Sequence, residues 1–138
     1  MPHKILSAFL FAAIATSPAL ADRQAQRAKD IAAGEAKLAE LTKGLVPGKP
    51  LNCLPSERWT DSQNIDHVGI LYGFGSHRYL GRLDPDCADF SFTDIPVIVS
   101  HGMTCQGDIV RIVDSASRFP KGSCVFRGFI PYDRPAKR

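Results

Sequence analysis

Three histidines and four cysteines are the residues of this chain best suited to chemistry. His67, His77 and His101 offer three imidazole nitrogens, the donor set of an open metal site if a β-rich fold brings them together. A small metal-binding protein or hydrolase built on them is the alternative functional reading. His101-Gly102-Met103-Thr104-Cys105 adds sulfur donors that copper(I) accepts, provided Cys105 is outside any disulfide. The spacing itself imposes no convergence, because His67 reads as a strand residue facing away from Val68 and Ile70, and His77 sits beside a turn.

Cys53, Cys87, Cys105 and Cys124 are separated by 33, 17 and 18 residues, without the paired C-x-x-C spacing of structural zinc. An even set of this kind is expected to form two disulfides, leaving no catalytic thiol. Asp84, Asp86, Asp89 and Asp94 lie close together, but an EF-hand counted from Asp84 has Asp89 where Gly is required and Ile95 where Glu should chelate. These acids read as turn caps. Asp66-His67 and Ser100-His101 supply triad residue types, yet strand neighbours project to opposite faces, and no G-x-S-x-G elbow exists. No catalytic, cofactor-binding or metal site is therefore assigned.

The elements that must position these groups follow from local chemistry. Residues 22–46 form a helix, rich in Ala, Glu, Lys, Arg and Gln, with Ile31, Leu38, Leu41 and Leu45 on a thin apolar stripe that Ala25, Ala28 and Ala32 extend. It is expected to lie across its own domain. Gly44, Pro47, Gly48 and Pro50 stop it. Strands are expected at Ile65–Phe74, Arg78–Leu83, Asp89–Thr93, Ile95–Ser100, Asp108–Asp114 and Ser123–Ile130, the first two joined as a hairpin through Gly73-Phe74-Gly75-Ser76. The fold class is mainly β, a small antiparallel barrel or curled sheet preceded by one N-terminal helix. Trp59, the single tryptophan, is expected to be largely buried, the alternative being an exposed ligand-stacking platform.

The first residues address the compartment. His3 and Lys4 precede an apolar run from Ile5 to Ala15, Pro18 breaks it, and Ala19-Leu20-Ala21 has small residues where a signal peptidase needs them. Residues 1–21 thus read as a cleaved signal peptide, placing the mature protein in the periplasm or outside the cell without a membrane anchor. Losing Lys4 with the leader leaves 16 basic against 14 acidic residues, so long-range steering is weak. Arg78, Arg82 and Arg127 are the candidate contacts to an envelope protein or anionic polymer. Gly73-Phe74-Gly75 with Arg78 and Tyr79 has an incomplete RNA-binding spacing, so no nucleic-acid partner is expected. Residues 133–138 form a basic tail.

Tyr79-Leu80-Gly81-Arg82-Leu83-Asp84 leading to Cys87-Ala88-Asp89-Phe90-Ser91-Phe92, then Cys105, Cys124-Val125-Phe126-Arg127 and the ending Gly128-Phe129-Ile130-Pro131-Tyr132, resemble a family of small exported bacterial proteins of unknown function. The resemblance spans residues 51–132, implies a disulfide-stabilised β domain there and brings no activity. A hairpin of Asp108–Asp114 with Ser123–Ile130, closing near Arg118, would set Cys124 opposite a residue near Val113, beyond reach of Cys105. That leaves two connectivities. The resemblance favours Cys53 with Cys105 and Cys87 with Cys124, because some similar chains carry only the counterparts of the first pair. The function expected is a small exported binding or interaction module.

Overall fold

The computed structural model describes residues 18–56, 59–85, 87 and 90–136. Most of the expected leader, Asp86 and Asp89 of the acidic cluster, and the last two residues of the tail lie outside them. Helix α1 spans Pro18–Leu41, starting inside the expected leader and ending five residues short of the expected boundary. Thr42 ends it: its backbone N–H and its hydroxyl both donate to the Leu38 carbonyl, and Gly44 then turns the chain at φ 80°.

Seven strands follow: β1 (Val46–Pro47), β2 (Asp61–Ile65), β3 (Gly69–Phe74), β4 (His77–Leu83), β5 (Ile95–Val99), β6 (Ile109–Val113) and β7 (Pro120–Asp133). They make one antiparallel, curled half-barrel in the order β2-β3-β4-β7-β6-β5, with β1 added to the end of β7. The curl has a local cause. The long β7 pairs with β6 through its first half and with β4 through its second, and between them Gly128 takes φ 130° opposite a register shift at Arg82/Leu83.

Two apolar layers result, one on each face of the sheet. The concave face carries Ile70, Leu83, Val110, Ile112, Phe126 and Phe129, with Leu54, Phe90 and both Cys87 and Cys124 among them. Gly81 stands opposite the Phe126 and Phe129 rings; a β-carbon there would lie 2.7 and 3.0 Å from them. The convex face carries Ile65, Val68, Leu71 and Leu80, covered by Leu38 and Leu41 of α1. That cover explains why Ile70 and Leu71, on opposite faces of β3, are both buried.

The structure corrects several expectations. The expected strand Ile65–Phe74 is broken at Asp66–Val68, a turn in which His67 takes φ 58°, so the two halves pair with each other as β2 and β3. Phe90–Thr93 is a loop, not a strand. Side chains take over its backbone: Asp94 accepts from the Ser91 N–H, Asp66 from Phe92 and Ser91 Oγ from Thr93. Cys124 faces Val110 rather than a residue near Val113. The reason is Asp114, whose carboxylate accepts from the Ala116 and Ser117 N–H groups and the Ser117 hydroxyl, tightening the β6–β7 turn. Those bonds also hold its pKa below the ordinary carboxylate value. Asp133, assigned to the tail, is the last residue of β7 and pairs with Val46.

The disulfides join Cys53 to Cys105, with Cα atoms 3.9 Å apart, and Cys87 to Cys124, 5.4 Å apart. The first fastens the segment leading to Trp59 onto the β5–β6 loop, where the Leu54 N–H also donates to the Thr104 carbonyl and the Gln106 N–H to Asn52.

Candidate functional site

The three histidines occupy three separate places. His67 is in the β2–β3 turn, His77 opens β4 and bonds the Asp133 carboxylate through Nδ1, and His101 is exposed in the β5–β6 loop. Among the described residues no group of three His, Cys, Asp or Glu side chains is placed to hold a metal. The His67/His77/His101 constellation is thus not assembled by the fold, and Cys105, in its disulfide, leaves the copper motif without a thiol. Asp84 bonds Arg127, and Asp94 is buried against Lys121, so both acids have structural partners.

The arginines proposed for anionic partners do not form one patch. Arg82 grips Glu35 of α1 through both guanidinium nitrogens, at 2.6 and 3.2 Å, and Arg127 grips Asp84. Hydrogen bonding to Glu35, opposed in part by burial, raises the Arg82 pKa further. Arg78 shares the convex face with Arg82, and its guanidinium donates to the Gly75 and His77 carbonyls.

A different site emerges at the end of the concave face, where Trp59, Tyr72 and Tyr79 meet. Tyr72 and Tyr79 are cross-strand partners on β3 and β4, which sets their side chains on one face. Trp59 arrives from the segment anchored by Cys53 and lies over both, with ring centroids 5.6 Å from Tyr72 and 5.4 Å from Tyr79 at 52° and 71°. It is partly buried and packs against the concave core. Beside it Trp59, Thr60, Asp61, Ser62 and Tyr72 line a shallow cleft of about 420 Å³.

Tyr72 lines the cleft, but its hydroxyl is closed off from solvent. The residue is 6% exposed, and its hydroxyl is buried with no hydrogen-bond partner, the single such side-chain atom among the described residues. Burial pushes its pKa far above the ordinary tyrosine value, so it remains a neutral donor at every physiological pH. An unmet buried hydroxyl costs about 1–3 kcal/mol. Nearby, Ser62 faces Tyr72 across β2 and β3, whereas Asp61 pairs with Gly73 on the opposite, convex face, where its carboxylate lies over Gly73 beside the Arg78 guanidinium.

A second groove, between α1 and β2, is of similar size and is lined by Asp30, Lys37, Asn64, Asp66, His67 and Phe92. Several of its polar groups are already engaged: Asp66 accepts from Phe92, Asn64 donates to the Asp94 carbonyl, and Lys37 pairs with Glu40. The cleft at Trp59 and Tyr72 differs in being walled by two aromatic residues. Sequence reading singled out Trp59 but not its partners, because Tyr72 and Tyr79 look like ordinary alternating strand residues until the hairpin register sets them side by side. No family model, curated protein or solved structure matches the chain.

Proposed function

We propose that this chain is an exported binding protein whose ligand enters the cleft walled by Trp59 and Tyr72. The observation that carries the reading is the surface cleft in which Trp59 and Tyr72 meet Thr60, Asp61 and Ser62. Aromatic walls with polar groups at the mouth are the common lining of a small-molecule site.

Export rests on three features. Residues 1–21 have the grammar of a leader, two disulfides suit an oxidising compartment, and no described helix is long and apolar enough to cross a membrane. Cleavage after Ala21 would also leave Asp22 at the start of α1, where its carboxylate caps free N–H groups and complements the helix dipole. The resemblance to small exported bacterial proteins belongs to the same proposal.

The test has two arms. Intact mass of the protein from a periplasmic or culture fraction should correspond to a chain starting at Asp22; an uncut chain confined to the cytoplasm would overturn export. For the site, cyclohexanol, a ring with one hydroxyl, should shift Trp59 emission saturably, and Ser62→Phe, which fills the cleft opposite Tyr72, should weaken that response. A linear response identical in both proteins would remove the cleft as a site.

A further inference from the structure

We infer that the chain carries a separate anion site, a groove between the end of α1 and the β3–β4 turn that takes a phosphate group, free or as a monoester. It is independent of the cleft at Trp59. Lys43, Arg78 and Arg134 line this groove of about 440 Å³ together with Gly75 and Ser76. The three cations come from distant parts of the chain, and the strand register explains why they meet. Arg78 pairs with Tyr132 across β4 and β7, which puts Arg134 two residues past that partner. Val46 pairs with Asp133, which draws in the turn after α1 and Lys43 with it.

The charges of this groove are unanswered. Elsewhere on the molecule Lys37, Arg82, Lys121 and Arg127 each have a carboxylate partner, whereas none of Lys43, Arg78 and Arg134 is ion-paired to a described acid. Of the acids close by, Asp133 is bonded to His77, and Asp61 lies over Gly73 beside Arg78. The Arg78 Nη1 donates to the Gly75 and His77 carbonyls at 3.1 and 2.9 Å, which fixes the guanidinium at the groove wall before any ligand arrives.

Three like charges around one groove repel each other, and a dianion among them relieves that repulsion. A carboxylate is matched by a single guanidinium fork, whereas a phosphate has two charges and several outward oxygens to share among three cations. The Ser76 hydroxyl adds a neutral donor. A long anionic polymer would need further free cations along its path, but Arg82 and Arg127 are held by Glu35 and Asp84.

The experiment is calorimetric titration of the full disulfide-bonded mature chain with inorganic phosphate, glycerol 3-phosphate and acetate, at low ionic strength and about pH 8, where phosphate is a dianion. At least one of the two phosphates should bind saturably at one site, and acetate should not. Raising the salt to about 0.2 M should weaken that binding several-fold. Lys43→Gln and Arg134→Gln should each weaken it about fivefold; both positions are exposed, so the variants are expected to fold, and melting curves check this. Lys49→Gln, an exposed lysine outside the groove, should leave it unchanged. Binding of inorganic phosphate alone would identify the free ion as occupant, and tighter binding of glycerol 3-phosphate an organic monoester. No saturable binding of either would overturn the proposal, as would equal losses in Lys43→Gln and Lys49→Gln, or acetate binding as tightly as phosphate.

Discussion

Gly34 of α1 faces the Asp66 carbonyl so closely that a β-carbon at position 34 would stand 2.1 Å from that oxygen. The contact explains a glycine in the middle of an otherwise strong helix. The backbone of α1 lies directly on the β2–β3 turn there, and Leu38, one turn later, enters the convex core.

Gly34→Ala should therefore destabilise the protein. In an open helix the same change adds about 1 kcal/mol of stability, but here the methyl must displace backbone, and a loss of about 1–3 kcal/mol is expected. Thermal melts decide it, since the two accounts differ in sign. Faster proteolysis within α1 should accompany the loss if the helix lifts from the sheet.

Lys121 holds the buried Asp94. The Asp94 side chain is 1% exposed, and both of its oxygens lie 3.0 Å from the Lys121 ammonium. Lys121→Met leaves a buried carboxylate without that cation and should cost about 3–5 kcal/mol. The double variant Asp94→Asn with Lys121→Met should recover part of the loss in urea denaturation. Additive losses would show the pair is not coupled.

Stability should fall in alkali because of Tyr72. Its folded pKa lies above the unfolded value of 10.0, so the burial benefit is complete below pH 10 and is lost as pH rises beyond it, where the unfolded chain ionises first. Urea midpoints at pH 8, 10 and 11 should decline more steeply in the native protein than in Tyr72→Phe. Equal slopes would contradict the buried hydroxyl.

The Cys53–Cys105 bond should matter to the cleft as well as to the fold. Replacing both cysteines by serine is expected to cost about 2–4 kcal/mol. Because this bond anchors the segment that carries Trp59 over Tyr72 and Tyr79, the same variant should show red-shifted Trp59 emission below its melting transition. Removing Cys87–Cys124, which ties the chain after β4 to β7, should lower stability without that shift.

The parts of this protein legible in its residues are those governed by near neighbours. The Ala- and Glu-rich run makes α1, Gly75-Ser76 closes the β3–β4 hairpin, and β-branched runs give β5 and β6, because backbone preference and side-chain alternation act within a few residues. Tertiary structure decided what depends on residues far apart in the chain. Asp66, 26 residues away, captured the Phe92 N–H in a stretch that local propensity assigns to a strand, and Cys53 met Cys105 across a separation of 52. The candidate site is of this second kind. Trp59, Tyr72 and Tyr79 are common strand and loop residues in sequence, and only the hairpin register and the Cys53–Cys105 anchor bring the three rings together.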